Sequence, residues 1–351
     1  MKAFRLLFLA LKWTVIVLAL VELFSFTVIL ASNYILYGEA REGSRAFYDP
    51  YTIFLQSPKI RPTIGSRQSG QVSDNFVIWV FGGSTVRGDT DHDELTIPSH
   101  LAKTLNARNT PINYSVVNFG VNSFNSLLET KYLQKALIEK RPTPDLVIFY
   151  DGANDVKYFL EHRHPYGHHG YRKLKAVIES YHASLFGLLK PLNAALYSSF
   201  TMELYDKINQ VFIPVESDPE LVKKFADMTE RRYDFVNKLV QCFGARFLLI
   251  YQPMLWAEEC NISRTIAEKE RSYMVDSEKF NTMRANFAIP YKIMLERMKD
   301  KPYFVSYEDA LCEREQPSYK PDGVHLTDYG RHLIAMRMSK TVDSVLGLDG
   351  K

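Results

Sequence analysis

A serine in the segment Phe81-Gly82-Gly83-Ser84-Thr85-Val86-Arg87-Gly88 directly follows an apolar run. A serine hydroxyl is a weak nucleophile at neutral pH and needs an adjacent base. Near the C-terminus, Pro321-Asp322-Gly323-Val324-His325-Leu326-Thr327 offers an imidazole and, three residues earlier, a carboxylate. One short loop would thus deliver a base together with the group that orients it. Two further apolar runs end in polar and glycine residues: Val117-Asn118-Phe119-Gly120-Val121-Asn122 and Phe149-Tyr150-Asp151-Gly152-Ala153-Asn154-Asp155. Taken alone, Gly82-Gly83-Ser84 reads as a strand-end turn. Two familiar alternatives fail. A phosphate-binding P-loop needs a Lys-Ser/Thr after its glycines, and none follows here. The nucleophile elbow GxSxG needs a glycine where this chain has Val86.

The elements that must position these residues follow from hydrophobic pattern. Strands are expected at Phe76–Phe81, Tyr114–Phe119, Leu146–Tyr150, Ala245–Tyr251 and Tyr303–Tyr307. Helices are expected near Leu95–Leu105, Ser126–Glu139, Glu220–Cys242 and Ile266–Met298, with a last one from about Thr327 to Leu346. Short strands buried on both faces and separated by helices predict an α/β protein. Its central five-stranded parallel sheet lies in a three-layer α/β/α sandwich. In such a sheet the strand ends share one rim, so Ser84, Gly120 and Asn154 can converge although distant in sequence. The stretch from about 157 to 218 interrupts the rhythm. It begins polar and His-rich, becomes apolar from Ala183 to Leu189 and helix-like from Tyr205 to Phe212, and reads as an insertion on the C-terminal side of the sheet.

The four segments resemble, in order, the signature blocks of the SGNH/GDSL hydrolase superfamily, named for its Ser, Gly, Asn and His. Ser84 matches the nucleophile, Gly120 the glycine of the second block, and Asn154 the asparagine of the GxND block. Asp322 and His325 match the DxxH block. The resemblance covers about Phe76 to Leu346. It departs at one place: the family's Gly-Asp-Ser reads Gly82-Gly83-Ser84. That Asp is not a triad member, so the loss is read as minor. The resemblance implies a flavodoxin-like SGNH hydrolase fold and a catalytic triad of Ser84, Asp322 and His325. It further implies an oxyanion hole from the backbone N–H of Ser84, the backbone N–H of Gly120 and the side-chain amide of Asn154. Asp155 is read as a structural hydrogen-bonding residue. The activity implied is hydrolysis of carboxyl esters through an acyl-serine intermediate. An O-acyltransferase acting on envelope polysaccharide with the same triad, or a non-catalytic glycan-binding relative, is the alternative.

The chain has 351 residues, with 43 Lys+Arg against 40 Asp+Glu. That balance excludes the strong basic field a nucleic-acid partner would need. No metal, nucleotide or other cofactor is indicated. His162, His164, His168 and His169 crowd one loop without zinc-type spacing and read as solvated. The three cysteines, Cys242, Cys260 and Cys312, leave room for one disulfide without selecting it. At the N-terminus Lys2, Arg5 and Lys12 precede an apolar run over residues 13–36 whose only charge is Glu22. Such a run spans hydrocarbon as a helix. A cleavable leader is shorter and ends in a small-residue cleavage site. The expected organisation is a cytoplasmic stub and transmembrane anchor at 1–37, a juxtamembrane connector at 38–75 and a catalytic domain at 76–351. The positive flank places the N-terminus in the cytoplasm and the catalytic domain outside.

Overall fold

The computed structural model describes residues 2–37, 47–57, 59–67, 75–90, 92–108, 112–139, 142–183, 195, 199–211, 213–272 and 278–347. In chain order the helices are α1 (Lys2–Tyr37), α2 (Ser84–Arg87), α3 (Ile97–Asn106), α4 (Ser126–Ile138), α5 (Ala153–His162), α6 (Tyr171–Ala183), α7 (Phe200–Val211), α8 (Pro219–Cys242), α9 (Arg264–Arg271), α10 (Glu278–Met298) and α11 (Asp328–Leu346). The strands are β1 (Phe47–Asp49), β2 (Ile53–Leu55), β3 (Asn75–Gly82), β4 (Asn113–Asn118), β5 (Leu146–Asp151), β6 (Arg246–Tyr251) and β7 (Phe304–Ser306). The chain divides into two compact units, Ser44–His169 with Pro214–Lys351, and Met1–Gly43 with Gly170–Ile213.

In the larger unit five strands pair in the order β4-β3-β5-β6-β7, all parallel. Side chains alternate along a strand, and here the two faces differ in chemistry. Ile78, Val80, Val116, Ile148, Leu248 and Ile250 point to an aliphatic core shared with α3 and α11. Trp79, Phe81, Phe119, Phe149 and Phe247 point the other way and build an aromatic layer, in which Phe81 stacks on Phe119 at 4.6 Å. Thr96 caps α3 through the Ser99 amide and Thr327 caps α11 through the Gly330 amide, which sets where each helix starts. The five expected strands are present, with no end shifted by more than one residue.

Three regions depart from the expected pattern. The stretch expected to be a connector contains a β1–β2 hairpin whose turn is organised by Asp49. Its Oδ1 accepts from the Thr52 amide at 2.8 Å and the Tyr51 amide at 3.0 Å. Farther on, Arg61 bridges Asn118, and Ser66 Oγ accepts from the Val116 amide at 2.8 Å, so this stretch covers the exposed edge of β4. Second, Lys157–His162 continues α5 in the larger unit, and it is 170–213 that groups with the N-terminal helix. Third, the expected helix over Ile266–Met298 is seen as α9 and α10, and residues 273–277 between them lie outside those described, as does most of the apolar run Ala183–Leu189.

In the smaller unit α1 contains the stretch Phe4–Ser32, long and apolar enough to cross a membrane.

Candidate active site

β3 delivers Gly82 and Gly83 to the C-terminal rim, and Ser84 opens α2. The Ser84 amide therefore has no carbonyl of the preceding turn to donate to. Ser84 Oγ lies 2.6 Å from His325 Nε2, and His325 Nδ1 lies 2.5 Å from Asp322 Oδ2. With Nδ1–H donating to the carboxylate, Nε2 is left to accept the serine proton. Asp322 Oδ1 accepts from the Val324 amide at 2.9 Å and the His325 amide at 2.8 Å, which fixes the loop around it. Burial disfavours charge on the imidazole. The Asp322 carboxylate, its hydrogen bond and the charge of Asp89 outweigh that, and hold the His325 pKa above its ordinary value. Burial pushes Asp322 upward as well, but the facing imidazole and the two amides bring it below the usual carboxylate range.

The Asn154 amide nitrogen donates to the Phe124 carbonyl at 2.6 Å, leaving its second hydrogen for another acceptor. A Cβ at position 83 would sit 2.3 Å from that nitrogen. With a side chain at position 83 the end of the Asn154 side chain would have to shift. Gly120 differs from expectation. Its amide donates to Asn118 Oδ1 at 2.9 Å, and Asn118 Nδ2 donates to the Val86 carbonyl at 3.1 Å. A Cβ on Gly120 would fall 2.2 Å from the Arg87 amide nitrogen. Gly120 therefore serves close packing of its loop on the serine helix, and its N–H is committed to Asn118. Ser84, Asn154, Asp322 and His325 meet at one rim, while the Gly120 donor is occupied.

Several residues that support the site carry no motif. Lys320 and Arg331 both pair with Asp89, tying the histidine loop to the loop after Ser84. Arg314, fully buried, reaches Glu258 at 2.5 Å and Glu270 at 2.6 Å, and Glu270 accepts from the Ser318 amide at 2.8 Å. Cys260 and Cys312 form a disulfide beside this cluster, leaving Cys242 free. Beneath Asn154, Asp155 accepts from Ser126 Oγ at 2.6 Å and pairs with Arg232, as expected of a structural residue. The His-rich loop is less solvated than expected: His162, His164 and His168 are half-buried, His162 Nε2 meets the His168 carbonyl at 3.1 Å, and among the described residues no histidine, cysteine or carboxylate group is arranged to hold a metal.

The sequence pattern of the GDSL-like lipase/acylhydrolase family matches residues 78–338, which spans all four segments. The chain belongs to that family. It is an ester-cleaving hydrolase. No curated protein sequence matches it. Among solved structures it is similar to an acetyl xylan esterase at 13% identity, with a TM-score of 0.42, 76% of this chain covered and 100% of the other. It is likewise similar to the lipase/acylhydrolase from Enterococcus faecalis at 14% identity, with a TM-score of 0.40 and coverage of 77% and 96%. A psychrotrophic esterase from Pseudoalteromonas sp. matches at 13% identity, with a TM-score of 0.38 and coverage of 77% and 98%.

Proposed function

We propose that this GDSL-like hydrolase is a membrane-tethered serine esterase acting through an acyl-serine intermediate, with Ser84, Asp322 and His325 as its triad. The observation that carries the reading is the unbroken line of short contacts from Ser84 Oγ through His325 to Asp322. In this scheme Ser84 Oγ attacks the ester carbonyl while its proton passes to His325 Nε2. Asp322 steadies the imidazolium without taking its proton. The Ser84 amide and the free hydrogen of Asn154 stabilise the oxyanion. The tetrahedral adduct expels the alcohol, which takes the proton from His325, and leaves the acyl group on Ser84. Water then repeats the sequence and releases the acid. Gly120 would join the oxyanion donors only if its amide left Asn118.

Tethering is supported by the apolar helix and its basic N-terminal flank. The Cys260–Cys312 disulfide agrees with an oxidising, extracytoplasmic setting for the catalytic unit. An outward-facing enzyme of this kind meets envelope esters, an acetylated glycan or an acyl lipid.

The test is turnover of p-nitrophenyl acetate, butyrate and octanoate by the full chain in detergent, beside Ser84→Ala. Turnover that vanishes with Ser84→Ala establishes the nucleophile, and the chain-length profile separates acetyl from long-chain acyl substrates. If neither protein turns over, labelling of Ser84 by a fluorophosphonate points to a transferase awaiting its acceptor. The absence of labelling removes the esterase reading.

A further inference from the structure

We propose that Glu22 docks the first turn of helix α7 onto the N-terminal helix within the bilayer, so that α1 is a retained part of the mature fold. The inference rests on the membrane-spanning reading of α1 made above.

A carboxylate in the middle of an apolar span is costly, and intramembrane ionisable residues generally face a partner. Glu22 has one. Its Oε1 accepts from the Phe200 amide at 2.6 Å, and its Oε2 accepts from the Thr201 amide at 3.0 Å and the Thr201 hydroxyl at 2.7 Å. The start of α7 is completed by Ser199, whose hydroxyl accepts from the Met202 amide at 3.2 Å and whose carbonyl accepts from the Glu203 amide at 3.1 Å. The amides of Phe200, Thr201 and Met202, which no helix carbonyl can serve, are thereby satisfied, and the Glu203 amide makes the first helical bond. In water such amides can be left to solvent, but in hydrocarbon each needs a protein partner. The arrangement is what a helix beginning inside a membrane requires.

The depth agrees. Glu22 lies ten residues before Ser32, the end of the apolar stretch, or about 15 Å along a helix axis. The covered stripe on α1 agrees as well. Ser25 and Ile29 are buried, while Leu23, Phe24 and the residues upstream of Val21 are largely exposed. Positions 22, 25, 26 and 29 recur at the spacing of one helical face. Within that face Ser25 Oγ lies 3.2 Å from Thr201 Oγ1, and the rings of Phe26 and Phe200 are 4.8 Å apart. A small residue, a polar pair and close ring packing are the usual means by which membrane helices associate. A leader destined for removal has no need of such a seam.

The test uses the full chain in native membranes, with Ser25→Cys and Thr201→Cys in a Cys242→Ser background. The expected result is a mature protein whose mass includes residues 1–37, with rapid oxidative cross-linking of the pair. Phe24→Cys with Thr201→Cys, on the exposed face, should not cross-link. Adding Glu22→Leu should slow cross-linking at least tenfold. Loss of the N-terminal segment from the mature protein overturns the tether itself. An intact N-terminus with equal cross-linking from positions 24 and 25, or with no effect of Glu22→Leu, overturns the docking alone. Ester turnover dependent on Ser84, read in the same membranes, belongs to the catalytic unit and is unchanged by Glu22→Leu.

Discussion

The two sides of the candidate site stand on different foundations. The histidine loop rests on a buried cluster in which one guanidinium, Arg314, serves two carboxylates, Glu258 and Glu270, while Tyr319 donates to Glu258 at 2.8 Å. The disulfide staples the same two segments, since Cys260 and Cys312 each lie two residues from a member of an ion pair. The Asn154 side rests on three buried carboxylates, Glu129, Asp151 and Asp155, with the single guanidinium of Arg232. That cluster cannot hold all its charges. Burial, then the neighbouring carboxylates, pushes Glu129 far up, and burial with the charge of Asp155 pushes Asp151 up to about 8. The first foundation depends on carboxyls that share a buried guanidinium and on a covalent bond. The second depends on carboxyls that keep their protons and on backbone packed too closely for side chains.

Arg314→Met attacks the first foundation and carries the largest expected effect. It leaves two buried carboxylates unpaired, a change that typically costs about 3–5 kcal/mol. Thermal unfolding should show the loss, and Glu258→Gln with Glu270→Gln in the same chain should recover much of it. A small loss from Arg314→Met alone would mean that the disulfide holds this side unaided. Gly83→Asp attacks the second foundation by restoring the family's Gly-Asp-Ser. The new Cβ would meet the Asn154 amide and force it to shift, so turnover should fall, by at most the roughly 10²–10³-fold cost of one oxyanion donor. In an Asn154→Ala background the same change should cost little, because its target is gone. Additive losses would show that Gly83 acts otherwise.

Next in size is the acid limb of the rate profile. A raised His325 pKa means the imidazole is protonated, and unable to accept, up to a pH above its ordinary value of 6.5. Below that point kcat/KM should fall about tenfold per pH unit. A limb centred below 6.5 would contradict the balance of charges around His325.

These supports also mark how far the site was legible in sequence. Ser84, Asn154, Asp322 and His325 stood out because each occupies a strand end or loop of a parallel sheet, whose rim gathers distant segments. The strands themselves were legible because runs such as Leu146-Val147-Ile148-Phe149 are buried on both faces. The rest is set by partners far away in the chain. Arg314 and Glu270 look like ordinary surface charges until the fold buries them together. The β1–β2 hairpin was hidden because its strands are three residues each, too short for a period to register. The start of α5 was obscured by its polar opening, Asn154-Asp155, whose side chains turn inward to Phe124 and Ser126. Gly120 follows the end of β4, but the competing acceptor, Asn118 Oδ1, sits two residues away on the same strand end and leaves no trace in the motif.

The smallest predicted effect sharpens the contrast between the two foundations. Glu129 is fully buried, and its folded-state pKa lies well above the ordinary 4.5. Below pH 4.5 the carboxyl is protonated in both the folded and unfolded chain, so it adds no pH dependence there. Above 4.5 the unfolded chain releases the proton while the folded chain retains it. Folding then takes up a proton, and stability declines as pH rises. Glu129→Gln keeps a neutral side chain of similar shape and has no proton to release. Wild type and variant should therefore unfold alike near pH 4 and separate above it, the variant gaining at most about 1.4 kcal/mol per pH unit, or about 2 kcal/mol by pH 6. Denaturant unfolding at pH 4, 5 and 6 measures the slope. A variant that loses stability across that range would show that Glu129 is ionised in the fold, and that the Asn154 side, like the histidine side, is held by paired charge.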